Sequence, residues 1–344
     1  MNARFSHISN RGTRSFRKNT SAFVSLILFS ALFFVSLMSN LICNDRPLVV
    51  VRGCEVFFPV LKNYTEKSFG LDLEVEPDYK GAYFSSMMKG SSSQVYILWP
   101  PIRYSYLSVG VPGRGEVFPS PPSREHILGT DDQGRDVFAR LLYGMRTSIL
   151  FGLALAFAGC FIGVCIGAIQ GYFGGIIDIS VQRFSEVWSG LPVLFITMIV
   201  SSFVRATAVL LFFIILAFKW GRVADAVRAE FLRSRNYSYV KAAEALGAGH
   251  ISIMMSHVLP NSMVSVISYF PFLMSSSISY LTALDFLGFG LPAGAASLGE
   301  LARQAKNNLH APWVGAAAFF GLASILILIN FIGEGVRDAL NHKS

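Results

Sequence analysis

The sequence predicts an all-α polytopic membrane protein of six transmembrane helices, with a small strand-containing lobe between the first and the second. Three observations lead there. Only 15% of the 344 residues are charged while 53% are hydrophobic, against about a quarter charged in soluble domains. Charge-free runs long enough to cross a hydrocarbon layer recur along the chain. Basic residues gather near the ends of those runs, so the net charge of +8 reads as a topology signal in preference to a nucleic-acid footprint.

In chain order, Arg4, Arg11, Arg14, Arg17 and Lys18 make residues 1–18 a basic tail with no acid in it. The first apolar run lies between Lys18 and Asp45. It is longer than a signal-peptide core, and Leu41-Ile-Cys-Asn is a poor cleavage site, so 19–43 is expected to be a retained anchor. Residues 44–126 then form an external lobe whose nine acids balance nine bases. Its apolar runs, Leu48-Val-Val-Val and Val95-Tyr-Ile-Leu-Trp, are short, β-prone and bounded by Pro or Gly. Cys43 and Cys54 fall on the outer side and either pair or remain free thiols; Cys160 and Cys165 have no His or acidic neighbour to complete a metal site. Pro119-Ser-Pro-Pro-Ser marks a stiff linker.

Residues 127–146 read as an amphipathic helix lying at the outer interface. Thr130 and Gln133 have capping-box spacing, and Asp131 and Asp132 fall in the first turn. Val137, Phe138, Leu141, Leu142 and Met145 recur at three and four, with Arg135, Arg140 and Arg146 among them. The Asp131, Asp132, Asp136 cluster misses the EF-hand spacing and reads as capping in preference to calcium binding.

Residues 147–335 carry five further spans, placed by the runs Arg146 to Asp178, Val187 to Val204, Ala206 to Phe218, Ile251 to Leu284 and Asn307 to Gly333, and 336–344 is a tail. The run from Ala206 is short, and it reaches across only if Arg205 and Lys219 snorkel or Trp220 extends it. In the second span, Gly159, Gly163, Gly167 and Gly171 repeat every four residues and form a smooth ridge for close approach of another helix. In the fifth, Ser265, Ser268, Ser275, Ser279 and Thr282 share one face beside Pro271. Such a stripe either packs against a neighbour or lines a wet pathway; Ser268, Ser275, Ser279 and Thr282 are the candidate translocation path.

Between the fourth and fifth spans lie Lys219, Arg222, Arg228, Arg233, Arg235 and Lys241 against three acids. Together with the basic N-terminal tail this predicts a cytoplasmic segment, 221–261, and both termini in the cytoplasm. Within it, Lys241-Ala-Ala-Glu-Ala-Leu is a strong helix former stopped by Gly247 and Gly249. Ile251, Met254, Met255 and Val258 give a second apolar stripe, and Leu259-Pro260 is expected to break the helix before the fifth span. This helix-turn-helix either fits a groove on another protein or covers the underside of the bundle. No P-loop, HExxH, GxSxG or CxxC motif occurs, and no charged residue lies well inside an expected span, so an energy source outside this chain is expected.

The pattern Lys241-Ala242-Ala243, Glu244-Ala245-Leu246, Gly247 and, after nine residues, His257-Val258-Leu259-Pro260 resembles the signature of permease subunits of ABC importers. Its opening acid is replaced here by Lys241. Leu128-Gly-Thr-Asp-Asp-Gln-Gly-Arg-Asp136, Tyr143-Gly-Met-Arg-Thr-Ser148 and Leu284-Asp-Phe-Leu-Gly-Phe-Gly-Leu-Pro292 look like the second permease of dipeptide and oligopeptide importers. Ser297 to Trp313 and Leu98 to Tyr104 resemble the branch importing microcin C-type peptide antibiotics. The resemblance implies the type I ABC importer permease fold in the cytoplasmic (inner) membrane. It also implies a coupling helix at Lys241–Gly247 with Leu259 and Pro260, and no cofactor or catalysis on this chain. ATP and Mg would be used by two ABC ATPase subunits or one fused ATPase. A second homologous permease, an external solute-binding protein, a peptide substrate and the lipid bilayer complete the implied partners. Two rivals remain: an intramembrane enzyme and a non-transporting scaffold subunit of an export or assembly complex.

Overall fold

A computed structural model describes residues 14–52, 55–69, 75, 77–81, 95–110, 117–292 and 294–341. The chain divides into two compact units: Met1–Ala31, Ser148–Ala293 and Leu322–Ser344 make one, and Leu32–Thr147 with Gly294–Gly321 the other.

The helices are α1 (Thr20–Leu37), α2 (Val137–Phe173), α3 (Gly175–Ser189), α4 (Val193–Phe203), α5 (Ala208–Lys219), α6 (Gly221–Ser234), α7 (Ser238–Ala245), α8 (Leu259–Leu287), α9 (Leu298–Asn307) and α10 (Pro312–Asn341). Among the described residues, four helical stretches are long and apolar enough to cross a bilayer: α1, α2, His250–Leu287 and α10. One bent pair, α3 with α4, is long and apolar enough only when its two helices are taken together. Where a single span was expected over Val187 to Val204, α3 and α4 meet at a bend of 70°, because Gly190-Leu-Pro192 interrupts the helix and Pro192 has no N–H to continue it. The short run from Ala206 is α5, about 18 Å long at 1.5 Å per residue. It runs through Trp220, itself in the right-handed helical region, into α6. The last helix continues to Asn341, through most of the expected tail.

In the unit holding α3 to α8, Leu155 of α2, Leu211, Ile215 and Leu216 of α5, and Leu281 and Leu284 of α8 form the buried centre. Trp188 of α3 donates its indole N–H to the Ala217 carbonyl at 2.7 Å and stacks on Phe218. The buried polar end of an otherwise apolar ring is thereby satisfied.

In the other unit, three short antiparallel strands are ordered β2-β1-β3: β1 (Val49–Arg52), β2 (Glu55–Phe57) and β3 (Val95–Leu98). Val50 pairs with Phe57 on one side and Ile97 on the other. Along β3, half-buried Val95 and Ile97 alternate with exposed Tyr96 and Leu98, the period-two pattern of a sheet with one covered face. Val50, Phe69 and Tyr79 close its core. Cys43 is fully buried, and Tyr143 donates its hydroxyl to the Cys43 carbonyl at 3.0 Å. Burial and the nearby Asp136 carboxylate push its thiol up to about 12. Since the thiolate is the nucleophile, a maleimide at pH 8 is expected to leave Cys43 unmodified in the folded chain and to label it only after denaturation, as read by peptide mass spectrometry. Its suggested partner, Cys54, lies outside the described residues.

The approach to α2 corrects the expectation for 127–146. The chain turns until Asp136 and then enters one helix, α2, at Val137, with no separate interfacial helix before it. Thr130 is bridged to Asp136 in place of capping a helix; the cap is Asp136, whose Oδ1 accepts from Ala139 N at 2.8 Å. Asp131 serves differently again. Its Oδ1 accepts from the Gln133 and Arg135 amides at 2.9 Å, and its Oδ2 accepts from Arg135 Nε at 2.7 Å. Arg140 Nε lies 3.4 Å from the same Oδ2, and Arg140 Nη2 donates to the Ala295 carbonyl at 3.3 Å. All three charged side chains are buried, which requires that they be paired. The cluster is thus an ion-paired turn that seats the start of α2, and no group of residues that could hold a metal is found among the described residues.

Candidate functional site

The surface singled out by its chemistry lies at α7 and the turn after it. Tyr237 precedes α7 in an extended conformation, and Ala242, Ala243 and Ala245 favour helix because alanine loses no side-chain entropy there. Gly247 ends the helix at φ +82°, a left-handed value that suits glycine. Gly247 N donates to the Glu244 carbonyl at 2.9 Å and Ala248 N to that of Ala243 at 3.0 Å, so the terminal carbonyls are satisfied. One helical turn, His250–Ile253, follows.

Two inward anchors hold this element: Val240 and Ile253 are buried. Asn261 donates to the Tyr239 hydroxyl at 3.2 Å, and the Tyr172 hydroxyl of α2 lies 2.9 Å from His250 Nδ1. The outward side combines small residues with one basic and one acidic side chain. Lys241, Ala242, Glu244, Ala245 and Gly247 are exposed and Ala243 is half-buried. Beside them Leu246 is 87% exposed, Ile251 78% and Met255 59%. Exposed apolar side chains thus cluster beside the small residues of α7.

Leu259 and Pro260 do not break the helix. A π-helical stretch, Met254–Val258, joins the turn to α8, and Pro260 sits in the first turn of α8. The missing proline N–H is tolerated there, since first-turn donors lack intrahelical partners in any case.

The glycine ridge of α2 meets α6. A Cβ on Gly163 would lie 2.8 Å from the Trp220 carbonyl, one on Gly167 2.3 Å from the Ala224 carbonyl, and one on Gly171 2.6 Å from the Arg228 carbonyl. Gly159 stands beside Leu273 and Lys219. The order rises along both helices, so α2 and α5–α6 run in the same direction with main chain against main chain. Arg228 of α6 forks onto Asp178 of α3, with Nη2 to Oδ2 at 2.7 Å and Nε to Oδ1, so α3 is tied to the same assembly.

The hydroxyls of the α8 serine stripe differ in exposure. Ser275 and Thr282 are buried, Ser268 is half-buried and Ser279 is exposed. Ser268 and Ser279 return their hydroxyls to carbonyls one turn back at 3.0 Å. Sequence reasoning missed Ser276, whose hydroxyl accepts from Lys219 Nζ at 3.1 Å. Lys219 had counted only as a charge beyond the end of a span.

The chain is similar in sequence to known transport subunits. Residues 163–344 match the model of the binding-protein-dependent transport system inner membrane component. The chain belongs to this family. Its relatives include the inner membrane ABC transporter permease protein YejE of Escherichia coli (strain K12), 47% identical over 339 residues with 98% of each chain covered. The peptidoglycan transport system permease protein YejE of Agrobacterium fabrum is 43% identical, covering 98% of this chain and 94% of that one. The oligopeptide transport system permease protein OppC of Haemophilus influenzae is 35% identical over 63% of this chain and 70% of its own length. Among solved structures, an inward-facing form of the MetNI methionine ABC transporter aligns with a TM-score of 0.46 and 18% identity, covering 58% of this chain and 97% of that one; the family assignment rests on the sequence matches. This permease is therefore a membrane transport subunit of an ABC importer, with the type I permease fold and a small sheet between its first two long helices.

Proposed function

We propose that this permease forms half of a pore importing oligopeptides or peptide-like compounds, of which microcin C-type antibiotics are one class, across the cytoplasmic membrane. The oligopeptide transport named for one relative and the peptidoglycan transport named for another support a peptide or peptide-bearing substrate. The observation that carries the mechanism is α7: a small-residue helix, closed by Gly247 and flanked by exposed Leu246, Ile251 and Met255. In this reading Lys241–Gly247 docks into one of two partner ATPases, or one fused ATPase, which bind ATP and Mg. Closure of the ATPases on ATP moves α7, and α6 passes that motion to α2 through the glycine contacts, a rigid-body change of the kind that alternates access. A second permease completes the pore, and an external solute-binding protein delivers peptide to the side bearing the three-stranded lobe. Both termini and α7, within the 221–261 segment, lie on the cytoplasmic side, in keeping with the basic residues of both; the start of α6 lies within the bundle against α2.

Co-purification from native membranes tests the docking. Leu246→Asp and Gly247→Arg are each expected to lose the ATPases and to keep the second permease. Leu246→Asp changes the exposed surface alone, whereas a side chain at Gly247 has open space but a strained φ. ATPases retained by both variants would move the dominant contact elsewhere. No ATPase with the unaltered chain would favour the scaffold reading.

A further inference from the structure

Lys219 closes α5 and turns toward the middle of α8. Its ammonium lies 3.1 Å from the Ser276 hydroxyl and 3.7 Å from the centre of the Tyr280 ring. Ser276 and Tyr280 are one helical turn apart and share a face. Ser276 donates its own proton to the Leu273 carbonyl at 2.9 Å, which leaves its oxygen lone pairs to the ammonium. Ser276 stands about 25 Å along α8 from Leu259 at 1.5 Å per residue, far from either end of the helix. The cation is therefore held within the helix bundle.

A charge at such a position calls for a partner. Among the described residues no carboxylate pairs with Lys219, and the only neighbouring charge that acts on it is another cation, Arg222, which is exposed. A hydroxyl and the face of a ring orient an ammonium without neutralising it. Lys219, Ser276 and Tyr280 are all only half-buried, and Ser279 beside them is exposed, so one side of the cluster stays open. Uncompensated charge in a span is costly against lipid, and such residues face the bundle interior or a water-filled cavity; the open side of this cluster favours the cavity.

We propose that Lys219, set by Ser276 and Tyr280, is an oxyanion site on the translocation path that receives the terminal carboxylate of the peptide in transit. The ammonium has three donors, and with one on Ser276 two are left for a carboxylate. This rests on the peptide-import reading above.

The test uses the whole importer in proteoliposomes with its binding protein, and two tripeptides of one sequence, one a free acid and one a C-terminal amide. Lys219→Gln is expected to lower ATP-driven uptake of the acid about tenfold, the scale of one charged hydrogen bond, and to leave uptake of the amide within twofold. Lys219→Arg should retain most uptake of the acid. A second arm places a photoreactive residue at either end of the peptide. The C-terminal probe is expected to mark Ser276 to Tyr280, and the N-terminal probe another segment. Equal loss of both peptides in Lys219→Gln would overturn the proposal, since that is the result for a lysine paired with a lipid phosphate or with the second permease. A C-terminal probe that maps elsewhere would overturn it too, including where the binding protein admits only the acid. If the unaltered importer takes up neither peptide, the peptide reading itself fails.

Discussion

Asp131→Ala is expected to destabilise the folded chain by about 3–5 kcal/mol, the usual cost of stranding a buried charge by deleting its partner. The carboxylate is fully buried, and its removal takes the one directly paired carboxylate from two buried guanidinium groups, Arg135 and Arg140, leaving only the more distant Asp132 and Glu300 to act on Arg140. The backbone loses as well, because Asp131 Oδ1 holds two amides of the turn that leads into α2. Arg140 already has Nε and Nη1 without a hydrogen-bond acceptor, so losing Asp131 adds to groups that are already short of acceptors. Heat unfolding of the detergent-solubilised chain provides the measurement. The triple change Asp131→Leu, Arg135→Leu and Arg140→Leu should recover part of the loss, because apolar replacement of a whole buried ion cluster is far less costly than breaking it. A midpoint for Asp131→Ala close to that of the unaltered chain would show that the turn is held by other contacts.

Gly167→Val is expected to cost about 3 kcal/mol, at the upper end for overpacking. Its Cβ would lie 2.3 Å from the Ala224 carbonyl oxygen, and main chain cannot swing aside as a side-chain tip can. Gly221→Ala is the matched control. A Cβ there meets only Ser185 Oγ at 3.7 Å, and little change is expected. If both variants unfold alike, glycine-to-larger changes are harmful in general and the ridge is not special. The valine variant is also expected to lose peptide-stimulated ATP hydrolysis in the assembled importer before it loses the second permease.

Much of this was visible in the residues themselves. Charge-free runs placed the long helices because their length is fixed by bilayer thickness, and a four-residue glycine repeat has one geometric use in such a helix. What failed depended on partners distant in sequence or on an irregular turn. Asp136 does cap α2 as its position implied, but Thr130, Asp131 and Asp132 read as helix-start residues because local spacing is all that a capping pattern encodes. Burial beside Arg140 and the bridge to Thr130 are tertiary facts. Leu259-Pro260 read as a break because the rule assumes an α-helix upstream, and a π turn lies there instead. The serine periodicity placed hydroxyls on one side of α8 but could not tell which would bond back to their own helix. Lys219 was legible as a charge only, since its reach to Ser276 depends on how α5 packs against α8.

The glycine contacts have a mechanical consequence. An interface of long side chains yields to a push by changing rotamers, but carbonyl oxygens set against Cα atoms have no such compliance. A displacement of α6 is therefore expected to carry α2 with it, and the Arg228–Asp178 fork ties α3 to the same pair. The pliable points lie instead where the helices end: at Gly174 and Gly175, both at positive φ between α2 and α3, and at the 70° corner around Pro192.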